Sequence, residues 1–291
     1  MSIVKLFGQD VLIKDYYCAL DDNPPSKIFS PYINLYVQIT NNCNAGCAFC
    51  CNQNKNNFNF NEEKFFEIIK EISKVVDVRK ISFTGGEPTL YMPFLSKALH
   101  FVKEISPDTF TVINTNGSNL VKVGELSDVL NSVAVSRHHY NDEINEKIFG
   151  SPCVASADDL KQFPHKEILH LSCNLMKDYI GNEEEVYKYL EFADSVGCDD
   201  VGFVTLMKVN DYCEQQFVNF ADLNLKSDNM YVSKNWNNND NCKCRNYLYI
   251  ADSTNVIRVY SRYYVKQNNC ESNLVFDGQY LRQGFNGKII I

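Results

Sequence analysis

Long apolar runs are missing from this chain. Of its 291 residues 45% are hydrophobic, yet no stretch approaches the roughly 18 consecutive apolar residues that cross a membrane. The opening MSIVKLFGQDVLIKD carries charges through every short apolar run, unlike a secretory signal, so a cytoplasmic protein with no membrane partner is expected. Positive charge is also in deficit. Twenty-eight Lys and Arg stand against 36 Asp and Glu, for a net charge of -8 and a pI near 5.2. A protein that coats nucleic acid needs a basic surplus on one face, so no nucleic-acid partner is expected. Internal repeats and long low-complexity tracts are absent too, which leaves a globular chain large enough to bury a sizeable core.

Cysteine, by contrast, is plentiful, with 12 residues. Without a secretory signal these read as thiols and metal ligands rather than disulfides. Cys18, Cys153, Cys173, Cys198 and Cys213 are scattered singly, as small buried hydrophobes are. Cys43, Cys47, Cys50 and Cys51 are packed together, and Cys242 and Cys244 form a second knot.

From residue 33 to about 209, short β-rich runs alternate with helical patterns, the mark of βα units around a parallel sheet. Six candidate strands can be counted: Ile33 to Thr40, Lys80 to Thr84, Thr109 to Asn114, Ser132 to Ser136, Ile168 to Asn174 and Val201 to Met207. Between them, Phe65 to Val76 is amphipathic behind an Asn61 N-cap, and a helix opening at Pro93 must end before Pro107. Asn182 with Glu185 forms a capping-box pattern that closes at Gly197. The expected fold is therefore α/β, a partial (β/α)6 TIM-like barrel with a small β-rich C-terminal cap. Residues 1–32 form an N-terminal lead, 33–209 the barrel, and 210–291 the cap, expected to lie over the barrel mouth.

Barrels present their ligands at the C-terminal ends of the strands, and there the sequence places its sharpest motif. Directly after the first strand stands Cys43-Asn-Ala-Gly-Cys47-Ala-Phe-Cys50. Three thiolates so close, with Gly46 easing the turn, can ligate three irons of one cluster and leave the fourth open to a bidentate amino-carboxylate ligand. Cys51, adjacent to Cys50, points elsewhere and has a spare role. Structural zinc is the competing reading, but zinc prefers four Cys or His ligands in pairs, and no matching pair lies nearby.

Cys43-x-x-x-Cys47-x-x-Cys50, with Phe49 before the last cysteine, resembles the signature of the radical S-adenosylmethionine (SAM) superfamily. Gly85-Gly86-Glu87-Pro88, ending the second strand, resembles the motif that binds the SAM amino group, with backbone carbonyls and the Glu87 carboxylate as acceptors and the glycines permitting close approach. Asn114-Thr115-Asn116-Gly117 is similar to a segment lining the methionyl cleft. By the same resemblance Ser136, and Ser172 or Asn174, contact SAM. Arg137, His138, His139 and Tyr140 either face substrate or form a surface loop. The stretch Ile33 to Gly150 looks closest to the molybdenum-cofactor cyclase and viperin branch.

What the resemblance implies is a 4Fe-4S cluster that cleaves SAM to a 5′-deoxyadenosyl radical, which abstracts hydrogen from a small-molecule or peptide substrate. A flavodoxin- or ferredoxin-type protein would supply the electron. Cys242 and Cys244, with Cys270 as third ligand and Cys213 as fourth, resemble a twitch or SPASM appendage holding a second iron-sulfur cluster; an ordinary β-rich cap is the alternative. A non-catalytic iron-sulfur redox sensor or electron carrier is the rival function, and it predicts no SAM binding.

Overall fold

A computed structural model describes residues 2–13, 32–52, 58–223, 225, 227–232, 244–262, 273–284 and 287–291. Strands β1 (Ser2–Leu6) and β2 (Gln9–Ile13) form an antiparallel hairpin. Its turn, Phe7-Gly8, has φ of 48° and 77°, left-handed backbone that Gly8 adopts without a Cβ penalty.

The six expected strands are present and parallel. In chain order the elements are β3 (Tyr32–Thr40), α1 (Glu62–Val75), β4 (Asp77–Gly85), α2 (Met92–Ile105), β5 (Phe110–Thr115), α3 (Leu120–Gly124), β6 (Ser132–Ser136), α4 (Asp142–Phe149), α5 (Ala157–Gln162), β7 (Leu169–Leu175), α6 (Glu183–Ser195) and β8 (Asp200–Thr205). Each strand from β3 to β8 pairs with the next. Asn61 caps α1 by accepting from Lys64 N at 2.9 Å, and Pro93 lies in the first turn of α2, where its missing N–H costs nothing. Asn182 caps α6 by accepting from Glu185 N. The reciprocal arm of that capping box does not form; the Glu185 carboxylate accepts instead from Tyr140 Oη and Lys188 Nζ.

The described strands of the C-terminal region join the main sheet or lengthen its edges. The region supplies α7 (Asp211–Gln215), β9 (Met230–Val232), β10 (Arg245–Ile250), β11 (Val256–Arg262), β12 (Asn273–Phe276) and β13 (Leu281–Gln283). Strands β10 and β11 pair as an antiparallel hairpin. Strand β11 then pairs in parallel with β8 while β12 pairs in parallel with β3, so the described strands other than β1 and β2 make one open sheet, ordered β13-β12-β3-β4-β5-β6-β7-β8-β11-β10-β9. An edge strand leaves a row of backbone donors and acceptors unpaired, and the added strands shift that cost from the long β3 and β8 to the three-residue β13 and β9.

The sheet's two faces differ. Leu35, Val37, Phe83, Ile113, Val135, Leu171 and Phe203 alternate onto the face that meets the helices and are fully buried. Phe65 of α1, Phe94 of α2 and Phe276 of β12 meet there edge-on or tilted, each buried ring contributing roughly 1.5–3 kcal/mol. The intervening residues, Ser82, Asn114, Ser136, His170, Ser172 and Asn174, are polar and turn to the opposite face.

Candidate active site

The cysteine loop leaves the C-terminal end of β3 and is held from three sides. At its root, Thr40 O accepts from Gly86 N at 2.6 Å and Asn42 O accepts from Glu87 N at 2.7 Å. In the middle, Gly46 N donates to Phe149 O at the end of α4, at 2.8 Å. Near its end, Asn210 Nδ2 donates to Ala48 O at 2.9 Å, and the Cys213 thiol lies 3.7 Å from Phe49 O. Asn210 is the N-cap of α7, so this short helix reaches the mouth. Cys213 thereby lies beside the first cysteine loop.

Cys43, Cys47 and Cys50 are half-buried, and none is in a disulfide. Cys51 is exposed, in keeping with a spare role. Among the described residues no three Cys, His, Asp or Glu side chains converge tightly enough for a single metal ion. Mononuclear zinc requires that convergence, whereas the three cysteines of a 4Fe-4S cluster ligate different irons and stand further apart. The donor set thus fits a cluster with one iron unligated by protein. Ala45 N donates to Cys43 Sγ at 3.4 Å, a contact that stabilises the thiolate form. Cys244 is buried; Cys242 and Cys270 lie outside the described residues.

The glycines of Gly85-Gly86-Glu87-Pro88 have a role the sequence did not show. Gly85 has φ of 136°, and a Cβ there would stand 2.3 Å from Thr40 O; a Cβ on Gly86 would stand 2.0 Å from Asn42 O. They are small because the root of the cysteine loop passes over them.

Glu87 is 1% exposed. Its Oε1 accepts from Thr89 N at 3.0 Å, Thr89 Oγ1 at 2.6 Å and Thr115 Oγ1 at 2.7 Å, and its Oε2 accepts from Asn116 N at 2.7 Å. The carboxylate is therefore committed to its own chain, where it ties the end of β4 to the end of β5 just as Pro88 opens a turn of 3-10 helix. Asn116 extends the tie by donating from Nδ2 to Asn44 Oδ1, inside the cysteine loop, at 2.7 Å. Replacing Glu87 with Gln puts an amide against the Asn116 N–H. We expect a stability loss of about 2 kcal/mol, read by urea unfolding, together with weaker SAM binding. A Glu87 that served only as a SAM ligand would weaken binding at unchanged stability.

At the end of β6, Ser136 pairs in register with Ser172 on β7; both are half-buried, as is Asn174. Arg137 turns away into the core, fully buried, and donates to Ala155 O, Tyr140 O and Asp142 Oδ1. His139 Nδ1 accepts from Asn141 N, and Tyr140 donates to Glu185. These three are local fasteners.

His138 is the exception. Its ring meets Phe49 edge-on at 4.9 Å and stacks on Phe149 at 4.8 Å, so it supports Phe49 and with it the last turn of the cysteine loop. Its Nδ1 accepts from Asn174 N at 3.1 Å; a backbone amide can only donate, so the proton is on Nε2. Burial, aided by the Arg137 charge, lowers its pKa to about 3. The unfolded chain takes up that proton first as pH falls below about 6.5, so stability present above 6.5 is lost toward 3. Denaturation at pH 7 and pH 5 should differ by about 2 kcal/mol from this residue, a difference that disappears in His138→Phe.

Asn44, Thr89, Phe149 and Asn210 were not foreseen as site residues. Asn44 lies within the cysteine motif; the others are joined to it only by the fold.

Residues 37–156 match the Radical SAM superfamily. A probable GTP 3′,8-cyclase of Thermococcus kodakarensis is 27% identical over 172 residues, 57% of this chain and 55% of that protein. One of Saccharolobus islandicus is 26% identical over 190 residues, 62% of this chain and 58% of its own length. The chain thus spans a little over half the length of these relatives. Streptococcus suis SuiB in its SAM-bound crystal structure superposes with a TM-score of 0.52 at 18% identity, over 65% of this chain and 44% of that one. Its complex with the precursor peptide SuiA gives 0.53. At that identity the likeness is one of fold. Among the described residues no helix is long and apolar enough to cross a membrane.

Proposed function

On the premise that residues 37–156 form a radical SAM domain, we propose that this chain is an enzyme whose Cys43, Cys47 and Cys50 hold a 4Fe-4S cluster that binds and reductively cleaves SAM. When bound, the cluster supplies an electron and SAM a 5′-deoxyadenosyl radical, which takes hydrogen from the substrate. The observation that carries this reading is the seating of the three-thiol loop on Gly85, Gly86 and Glu87, beside the polar ends of β5, β6 and β7.

The chain's own residues then divide the work. Phe49, backed by His138, closes one wall. Backbone groups of Gly85, Gly86 and Glu87, with Asn116, Ser136 and Asn174, line the cleft where the SAM amino and carboxylate groups sit, while Glu87 and Pro88 fix the shape of that wall from behind. Residues 33–209 are the catalytic unit, with 210–291 completing the sheet edges. A second cluster at Cys242, Cys244 and Cys270 remains the finer reading of the C-terminal thiols. The substrate is a small molecule or peptide; a nucleotide, the class in the relatives' names, is the first to test. A flavodoxin- or ferredoxin-type protein supplies the electron, in a reducing cytoplasm.

Anaerobic reconstitution with iron and sulfide, followed by SAM and dithionite, tests the reading. We expect SAM retention in equilibrium dialysis and 5′-deoxyadenosine in the mass spectrum. A fully loaded cluster that retains no SAM would support the sensor reading instead.

A further inference from the structure

On the polar face of the sheet, away from the cysteine loop, four side chains from three strands form a hydrogen-bonded chain. Tyr260 of β11 has its hydroxyl 2.8 Å from His170 Nε2 on β7, and the two rings lie within 5° of parallel. To reach β7 the tyrosine crosses β8 over Gly202, where a Cβ would stand 2.3 Å from its ring. On the far side of the imidazole, His170 Nδ1 is 3.4 Å from Asp200 Oδ2, and the same oxygen is 3.1 Å from Arg258. His170 is 5% exposed.

Proton positions follow from this order. A carboxylate only accepts, so Nδ1 carries the hydrogen, Nε2 is the acceptor, and Tyr260 donates to it. Burial alone would raise the Asp200 carboxyl, but the facing His170 and Arg258 hold it below the usual carboxylate range. A proton arriving at the tyrosine oxygen can thus pass through, the hydroxyl proton moving on to Nε2 and leaving an imidazolium opposite a carboxylate. A group built only to fasten β11 to β8 has no need of a buried imidazole one strand further on.

The chain's position gives it a task. His170, Ser172 and Asn174 alternate along one face of β7, and the Asn174 N–H bonds the histidine that supports Phe49. Four residues of strand, about 13 Å, therefore separate His170 from the level of the cysteine loop. The wall between offers hydroxyls and amides from Ser82, Asn114, Ser136, Ser172 and Asn174, with the Arg262 cation of β11 in register at the level of Asn174, a lining that suits a sugar bearing hydroxyl groups and an anionic substituent.

Resting on the proposed radical chemistry, we infer that Tyr260, relayed through His170 to Asp200, is the general base that deprotonates a sugar hydroxyl after hydrogen is abstracted from the carbon bearing it. Losing that hydrogen atom makes the hydroxyl far more acidic. In the step the substrate O–H bond breaks, its proton joins Tyr260 Oη, the tyrosine proton moves to His170 Nε2, and the electron pair stays on the substrate oxygen. No oxidant is consumed.

The test uses the reconstituted full chain with SAM, dithionite and each of the four ribonucleoside triphosphates deuterated throughout the ribose. The expected wild-type result is deuterium in 5′-deoxyadenosine and a new product from at least one probe. Tyr260→Phe keeps the ring over Gly202, and His170→Gln still accepts from Tyr260 without taking up a proton. Both should transfer deuterium within about twofold of wild type while product falls at least 100-fold, at melting temperatures close to wild type. Retained product in both variants overturns the inference, as does loss of deuterium transfer and product together. Unlabelled 5′-deoxyadenosine with every probe overturns it while leaving the proposed function standing, and no 5′-deoxyadenosine at all overturns both.

Discussion

Replacing Cys43, Cys47 and Cys50 together with Ala is expected to abolish 5′-deoxyadenosine formation and to remove the iron of one 4Fe-4S cluster per chain. The loss should be complete rather than graded. Three ligands on one loop form a chelate, and removing all three thiols leaves no donor on that loop in the signature positions. The triple variant should keep its fold, because the thiols are half-buried and the loop's shape rests on backbone bonds from Gly46 to Phe149, from Gly86 to Thr40 and from Glu87 to Asn42. A far-ultraviolet spectrum matching wild type, with iron absent, is the expected combination. Iron remaining in the variant would locate a second cluster at the C-terminal thiols. Full 5′-deoxyadenosine formation by the variant would show that the radical chemistry arises elsewhere.

Gly86→Ala should be nearly as damaging although it touches no ligand. Its Cβ would overlap Asn42 O at 2.0 Å, and the nearby Asn42 and Asn41 carbonyl carbons at 2.5 and 2.8 Å. These are backbone atoms, so no side chain can swing aside; either β4 retreats from β3 or the root of the cysteine loop lifts. Overpacking of this kind costs roughly 3 kcal/mol or more. It also breaks the bonds from Gly86 N to Thr40 O and from Glu87 N to Asn42 O, which aim the loop. We therefore expect a lower Tm and iron incorporation reduced by more than half under conditions that load wild type fully. Gly46→Ala makes a control of equal chemistry, because a Cβ there meets nothing within 4 Å; that variant should load iron normally. If Gly86→Ala loads as well as Gly46→Ala, the close approach is not what seats the loop.

These two variants mark where sequence reasoning succeeded and where it stopped. The triad was legible because its spacing is local and its chemistry allows few readings. The barrel strands were legible for the same reason: Ser132–Ser136 has the same bounds in sequence and structure. Strand β4 begins at Asp77 rather than Lys80, because charged residues at a strand start disguise pairing that only the neighbour β3 reveals. The helix caps Asn61 and Asn182 each accept the backbone bond their position implies.

What stayed hidden was non-local. Nothing in Gly-Gly-Glu-Pro says which backbone will pass over the glycines, so a small residue read as room for ligand is room for the cysteine loop. Glu87 looked like an acceptor for an ammonium; its carboxylate has four donors within the chain, from Thr89, Thr115 and Asn116, of which β5 contributes Thr115 across the fold. Strands β10 and β11 pair as neighbours in sequence, but nothing local marks the pairing of β11 to β8. Tyr260 and His170, ninety residues apart, became neighbours only through that pairing.

The most direct test of the central claim is electron paramagnetic resonance of the dithionite-reduced, reconstituted protein with and without SAM. If Cys43, Cys47 and Cys50 leave one iron open to SAM, the reduced cluster should show a 4Fe-4S signal whose g-values shift when SAM is added, in the wild type and not in the triple Ala variant. A signal from a fully loaded cluster that is indifferent to saturating SAM would contradict the account.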